Sequence, residues 1–438
     1  MTRFPNPLQS FATARPDHVA VSGDAGTWTA AEWTDTVARA AQALDNRGID
    51  PGDPVSVVAS MDVDFLRTWQ ALWWLGAVPT LLGPDGHRHL APGERLLDTA
   101  HVSTETPVAP VDWALGEPRL TLLTSGSTAA PKRITLTTEQ LLFSAFGSSI
   151  RLGHLPTDRW LCCLPLHHMG GLSVFWRAMV LQITAVLHRR FDPDRVSRAI
   201  DDGDVTLVSL VPDMLRRLLD ARGDRRFPGT LRALLIGGER CPEALVQRAA
   251  DCGAPIALTW GMTETASQVA TRFPGDYLLR PDAGPPLPFV RLSSSASGRL
   301  RVEGPIAPGG AFDTSDHGRI DAAGRVVIEG RTDGVIISGG ENLSPGAIEA
   351  ALLQHPAVVD ATVVGIADSR WGQRPAAWVA SADTSLDADA LRQFCHQRLD
   401  RLHIPDRFWV TPSDAVPRTE TGKADRHAIR RTLEGVHA

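Results

Sequence analysis

No stretch of this chain stays apolar long enough to cross a bilayer. The most apolar segment, residues 160–187, is interrupted by Pro165, His167, His168 and Arg177, which lipid would accept only at high cost. A buried strand, turn and helix is the expected structure there. The first residues, Met1 to Pro7, hold no apolar core and no small-residue cleavage site, so no secretory leader is expected. A surplus of basic charge is also lacking. The chain has 44 Lys and Arg against 50 Asp and Glu, a formal −6, which argues against a nucleic-acid partner. Cysteine is scarce: Cys162, Cys163, Cys241, Cys252 and Cys395 are an odd number without metal-type spacing. Cys162 and Cys163 lie next to each other in a strand-like run and should face opposite sides as buried free thiols. These absences together point to a reducing cytoplasm.

What is present is a soluble globular composition, 43% hydrophobic and 21% charged. At 438 residues the chain is too long for one ordinary core. Short β-branched runs at 55–59, 120–123, 133–136, 205–210, 233–236 and 255–259 alternate with helical patterns at 62–75, 212–222 and 242–251. The expected class is α/β. After Asp282 the texture turns to short alternating segments between Pro and Gly turns, such as 298–302 and 325–329, a small β region. A boundary is expected at 330/331, giving a large N-terminal unit (1–330) and a small α+β C-terminal unit (331–438). In the latter, Ser344 is expected to cap one helix with Pro345 at its first position, and Ser385 to cap a second. That second helix should bury Leu391, Phe394, Leu399 and Leu402.

Residues 124–132 carry the first chemistry. Thr124, Ser125, Gly126, Ser127 and Thr128 follow a strand and lead through Ala129, Ala130 and Pro131 to Lys132. Hydroxyls, a flexible glycine and a cation, with no carboxylate, suit a polyphosphate. The spacing is not that of a Walker loop, and by composition alone an ordinary polar turn is the commoner meaning. Further on come Gly237-Gly238-Glu239, Trp260-Gly261-Met262-Thr263-Glu264-Thr265, Thr314-Ser315-Asp316, residues 330–342 and residues 417–423, ending at Lys423.

In this order the segments resemble the adenylate-forming superfamily of acyl-CoA synthetases, luciferases and peptide-synthetase adenylation domains, over roughly residues 20–430. Ala129 and Ser315 stand where that pattern usually has Gly, and Trp260 where it has Tyr. The resemblance implies ATP bound by residues 124–128, Lys132, Gly238, Glu239, Trp260 and Gly261. It further implies that Thr263 contacts the α-phosphate, Glu264 holds Mg2+, Asp316 the ribose hydroxyls, and Arg331 the ribose and phosphate. Asp333 becomes the hinge, flanked by Gly330 and Gly334, and Lys423 the catalytic lysine brought in by a mobile C-terminal domain. His168 borders the acid, with His167 less defined; a pair of core histidines is the alternative.

The chain is short for the superfamily. Its segments at 147–153, 160–172, 236–242 and 260–271 look most like the 2-succinylbenzoate–CoA ligases of menaquinone biosynthesis. That branch implies an ATP-dependent acid–thiol ligase using Mg2+ and coenzyme A. Arg177, Ser173 and Thr265 are unranked candidates for anchoring the distal end of a dicarboxylate. Two alternatives stay open: a ligase for another acid with a CoA, carrier-protein or amine acceptor, and a non-catalytic nucleotide- or acyl-binding homologue. A homodimer would be unsurprising by base rates.

Overall fold

The structure, a computed structural model, describes residues 3–84, 86–91, 94–98, 106–124, 131–276, 282–331, 334–420 and 422–435. Among the described residues, an eight-stranded sheet runs in the order Ser267–Thr271, Ile256–Met262, Ala233–Ile236, Leu207–Leu210, Arg159–Cys162, Thr184–Leu187, Val19–Gly23, Gly26–Thr29. Its inner pairs are parallel, and each end carries an antiparallel strand. A five-stranded sheet of Arg95–Leu97, Pro54–Val58, Val78–Leu82, Pro118–Thr124 and Lys132–Thr137 lies beside it. The inner strands are apolar, rich in Leu, Ala, Val and Ile, and largely buried, as parallel strands covered by helices must be. This is the expected α/β class. Cys162 and Cys163 confirm the alternation, since each is buried in a different apolar cluster.

Helix ends follow local chemistry. Asp62 caps Val63–Leu75 by accepting from the Phe65 N–H at 2.8 Å, and Gly76 ends that helix at φ 80°. Thr29 with Glu32, and Thr137 with Gln140, form capping boxes. The segment 160–187 is strand, turn and helix as expected, closed by the further strand Thr184–Leu187. No helix of the described residues is long and apolar enough to span a membrane.

The small β region is an antiparallel sheet of Arg291–Ser294, Arg299–Glu303, Ala311–Ile320 and Val326–Arg331. From Ile336 onward the strands belong to a separate five-stranded sheet, in which Val358–Asp368 and Gly372–Ser381 pair over most of their length. The helices Pro345–Leu352 and Ala388–His396, and a terminal helix Arg426–Gly435, cover it.

Two capping expectations need correcting. Ser344 does occupy the N-cap position, but its hydroxyl donates to the Glu329 carbonyl at 2.8 Å instead of capping. Ser385 is not a cap. Asp387, two residues on, accepts from the Ala390 N–H at 2.8 Å, while Ser385 is turned back to Asp383. A carboxylate closer to the helix start completes the turn better than a more distant hydroxyl. That helix ends at His396, so Leu399 and Leu402 reach the core from beyond it.

Candidate functional site

Parallel strands bring the motifs together. Gly238 and Glu239 follow the strand Ala233–Ile236, and Gly261 to Thr263 end or follow its neighbour Ile256–Met262. His168 lies a short turn beyond Arg159–Cys162. All three therefore gather at the carboxyl end of one sheet, where open α/β sheets bind their ligands.

The Thr263–Thr265 turn is held in a strained form. Ala266 at φ 53° and Ser267 at φ 98° are non-glycine residues in the left-handed region, a cost that surrounding contacts must offset. Gly261 is required here, because a Cβ on it would lie 1.7 Å from the Ser267 carbonyl oxygen. Helix Thr138–Leu152 supplies the restraint. The Gln140 side-chain amide donates to the carbonyls of Glu264 (2.9 Å) and Ile306 (3.1 Å), while its Oε1 accepts from the Thr137 N–H. The Ser144 hydroxyl donates to the Ala266 carbonyl at 2.6 Å. Thr265 is itself engaged with the Met262 and Ser267 carbonyls. With its backbone fixed, Glu264 directs its carboxylate to Lys132 Nζ, 3.6 Å away.

Lys132 begins the strand paired with Thr124, so the ends of the 124–132 segment are fixed by a ladder. Thr124 Oγ1 donates weakly to the Lys132 carbonyl at 3.4 Å. Ser125, Gly126, Ser127 and Thr128 lie outside the described residues, as does Asp333. Glu94 braces the exit of this segment. It is bonded to Arg133 at 2.6 Å, and its carboxyl is lowered to about 2 by Arg133 and its other donors against the opposing effect of burial.

Asp316 and Arg331 are cross-strand partners in the small antiparallel sheet, and their charged ends are 3.8 Å apart. Trp260 Nε1 donates to Asp316 Oδ2 at 2.9 Å. The indole is thus buried, with its polar edge tied to the aspartate.

The C-terminal unit completes the site. A Cβ on Gly238, which has φ 89°, would sit 3.1 Å from Lys423 Cε. Glycine there lets the lysine pass close to the backbone. Burial lowers the Lys423 pKa; Glu239 opposes this and Arg331 reinforces it. Burial likewise raises Glu239 to about 7, against Lys423 and the Ala424 N–H, which donates to Glu239 Oε1 at 3.0 Å. His168 is lowered to about 3 by burial, then by His167 and Lys423. It is therefore a neutral ring at physiological pH, tilted 46° against the His167 ring with centroids 4.1 Å apart. His167 Nε2 lies 3.6 Å from Glu420 of the lysine loop.

Of the candidates for a distal anchor, Ser173 donates to the Gly170 carbonyl at 3.2 Å and Thr265 is occupied as above. Arg177 differs. It is almost fully buried 5.4 Å over the Trp160 ring, its Nε and Nη2 lack a hydrogen-bond partner among the described residues, and burial lowers its pKa to about 9. Among the described residues no cluster of three His, Cys, Asp or Glu could cage a metal. A single carboxylate such as Glu264 suits Mg2+ that takes its other ligands from phosphate and water.

Sequence reasoning missed Gln140 and Ser144. The Thr-x-x-Gln capping signature was readable, but nothing in it shows that the same glutamine reaches a turn 124 residues away.

Comparison with known proteins bears on the whole chain. The AMP-binding enzyme family model matches residues 8–95 and 87–293, and the model for the AMP-binding enzyme C-terminal domain matches residues 347–423. The 2-succinylbenzoate–CoA ligase of Geobacillus kaustophilus is 33% identical, covering 99% of both chains. The o-succinylbenzoate CoA synthetase of Bacillus subtilis, solved with its acyl-adenylate intermediate, superposes with a TM-score of 0.85 at 28% identity, covering 98% of this chain and 99% of that one. The same enzyme in complex with ATP and magnesium gives a TM-score of 0.85 at 27% identity, covering 97% and 99%.

Proposed function

As a member of the AMP-binding enzyme family, this chain is an AMP-forming acid ligase, and we propose that its acid is 2-succinylbenzoate and its acceptor coenzyme A. One observation carries the reading of the site: Lys423 of the C-terminal unit lies against the Gly238–Glu239 turn of the N-terminal unit.

Adenylation is attack by a carboxylate oxygen on the α-phosphorus of ATP, with pyrophosphate leaving. Negative charge crowds that phosphorus, and a desolvated ammonium placed beside it stabilises the transition state most. In this reading Lys423 supplies that charge and Thr263 holds the α-phosphate. Residues 124–128 and Lys132 cradle the outgoing phosphates, and Asp316 with Arg331 orients the ribose. Trp260 and the Gly238–Glu239 turn border the adenine. Mg2+, held by Glu264, would neutralise part of the triphosphate charge. His168, kept neutral, packs on the acid without adding a cation beside Lys423.

Arg177 ranks first as the distal anchor. A buried cation without an acceptor is costly, and a second carboxylate on the substrate would relieve it. Ser173 and Thr265 are already satisfied internally. After adenylation the C-terminal unit, taken as 331–438, turns about Asp333 and withdraws Lys423. The pantetheine thiol then attacks the acyl carbon and AMP leaves. The five free cysteines suit the reducing cytoplasm in which we place the enzyme; a homodimer remains the base-rate expectation, to be read by sedimentation.

The test is ATP-dependent pyrophosphate release across a panel of aryl and acyl acids, followed by thioester formation on adding CoA. Release with 2-succinylbenzoate at least tenfold above the other acids is expected. Preference for another acid would overturn the substrate, and no release with any acid would favour the non-catalytic alternative.

A further inference from the structure

Arg418 is not assigned a role in either half-reaction above, yet it contacts three parts of the fold at once. Its Nη1 donates to the Gly422 carbonyl at 3.0 Å, within the turn that also bonds Gly422 N–H to Thr419 and Thr419 N–H to the Lys423 carbonyl. Its Nη2 pairs with Asp360 of the C-terminal sheet at 2.7 Å. Its Nε lies 3.5 Å from Asp213, at the start of the N-terminal helix Pro212–Arg222. Asp213 is buried and already bound to Arg216 at 2.7 Å, so its carboxylate is held in place before Arg418 arrives. On the other side of the lysine, the Ala424 N–H donates to Glu239. Lys423 thus emerges between two points of attachment to the N-terminal unit. Arg240 to the Gly346 carbonyl at 3.3 Å and His167 to Glu420 at 3.6 Å are further ties between the units at this edge.

We propose that Arg418, held between Asp213 and Asp360, is a positioning residue that latches the C-terminal unit in the orientation delivering Lys423. It acts through the lysine and touches no reacting atom. This rests on the reading of Lys423 as the adenylation lysine. The guanidinium matches the task because its planar fork engages a carboxylate on each unit and a carbonyl of its own turn simultaneously; an ammonium cannot keep all three directions. The latch is also releasable: the pair is largely shielded, but its Nε–carboxylate contact is long at 3.5 Å, and a rotation that returns both groups to water can break it.

The experiment separates the half-reactions. Arg418→Gln and Asp213→Asn are each expected to slow single-turnover adenylation about tenfold. Thioester formation from supplied acyl-adenylate and CoA should stay within about twofold of the parent. Arg418→Lys should recover part of the loss, and the double variant should be no slower than Arg418→Gln alone. Equal loss in both half-reactions, or full additivity of the pair, would overturn the latch in favour of a general structural role.

A second readout does not depend on turnover. Spin labels at Asp224→Cys and Gln393→Cys report the distance distribution between the units with ATP present. Arg418→Gln should depopulate the distance seen in the parent, and an unchanged distribution would sink the proposal. Should the parent release no pyrophosphate with any acid, the functional reading fails, while this measurement still decides the latch.

Discussion

The Thr263–Ser267 turn and the Lys423 loop are both assigned to the proposed nucleotide site but are built in opposite ways. The turn is strained and fixed by buried hydrogen bonds from Gln140 and Ser144. The loop is attached through charged contacts between the units, Arg418 to Asp213 and Glu420 to His167, and through one backbone bond to Glu239. Buried neutral hydrogen bonds within one unit cannot be exchanged cheaply for water; charged groups that face each other across two units recover their solvation when the units separate. On the proposed mechanism, the difference marks the turn as the half of the site that stays put and the loop as the half that moves.

Lys423→Ala offers the hardest test. It should slow adenylation by on the order of 10²–10³-fold yet leave thioester formation from supplied acyl-adenylate nearly intact, as stopped-flow assays of each step would reveal. Because the lysine is held against a burial cost, the melting temperature should not fall. A drop of several degrees would mean that the loop is part of the fold's framework and the contrast is false.

Gln140→Leu should behave the other way. Leaving the Glu264 and Ile306 carbonyls without donors costs about 1–3 kcal/mol each, so calorimetry should show a lower melting temperature and kinetics a raised KM for ATP. A stable variant with normal KM would show that the strained turn needs no such brace.

Asp333→Pro sharpens the comparison from the hinge side. Locking φ should slow thioester formation about tenfold more than adenylation, and equal rates for both steps would remove Asp333 from the hinge.

The smallest effect concerns pH. Glu239, facing Lys423, Asp360, Arg418 and the Ala424 N–H, has its carboxyl raised to about 7 with the loop docked, against an ordinary 4.5. Docking therefore takes up a proton. Its contribution is full below 4.5 and is lost as pH rises through about 7. The docked population followed by the spin-label distances should fall modestly between pH 5 and 8, and Glu239→Gln should flatten that slope. A population rising with pH would reverse the assigned sign.

Much of this molecule was readable from its residues. Asp62, Leu75 and Gly76 bound a helix by local capping rules, and the parallel strands announced themselves as short apolar runs. Glu264, Asp316 and Lys423 could be named because they sit in motifs whose order is a property of the chain. The errors were equally local. Ser385 and Asp387 both suit a cap, and only backbone geometry chooses between them.

By itself, then, the order of residues determined the α/β class, the family resemblance and the identity of the charged groups, because secondary structure and motif chemistry act over a few neighbours. Only the tertiary fold decided that Gln140 braces a turn 124 residues away, that Arg177 is buried without an acceptor, and that Arg418 meets Asp213. Those contacts join residues far apart in the chain, and their energies depend on burial and orientation, which exist only once the sheets have packed.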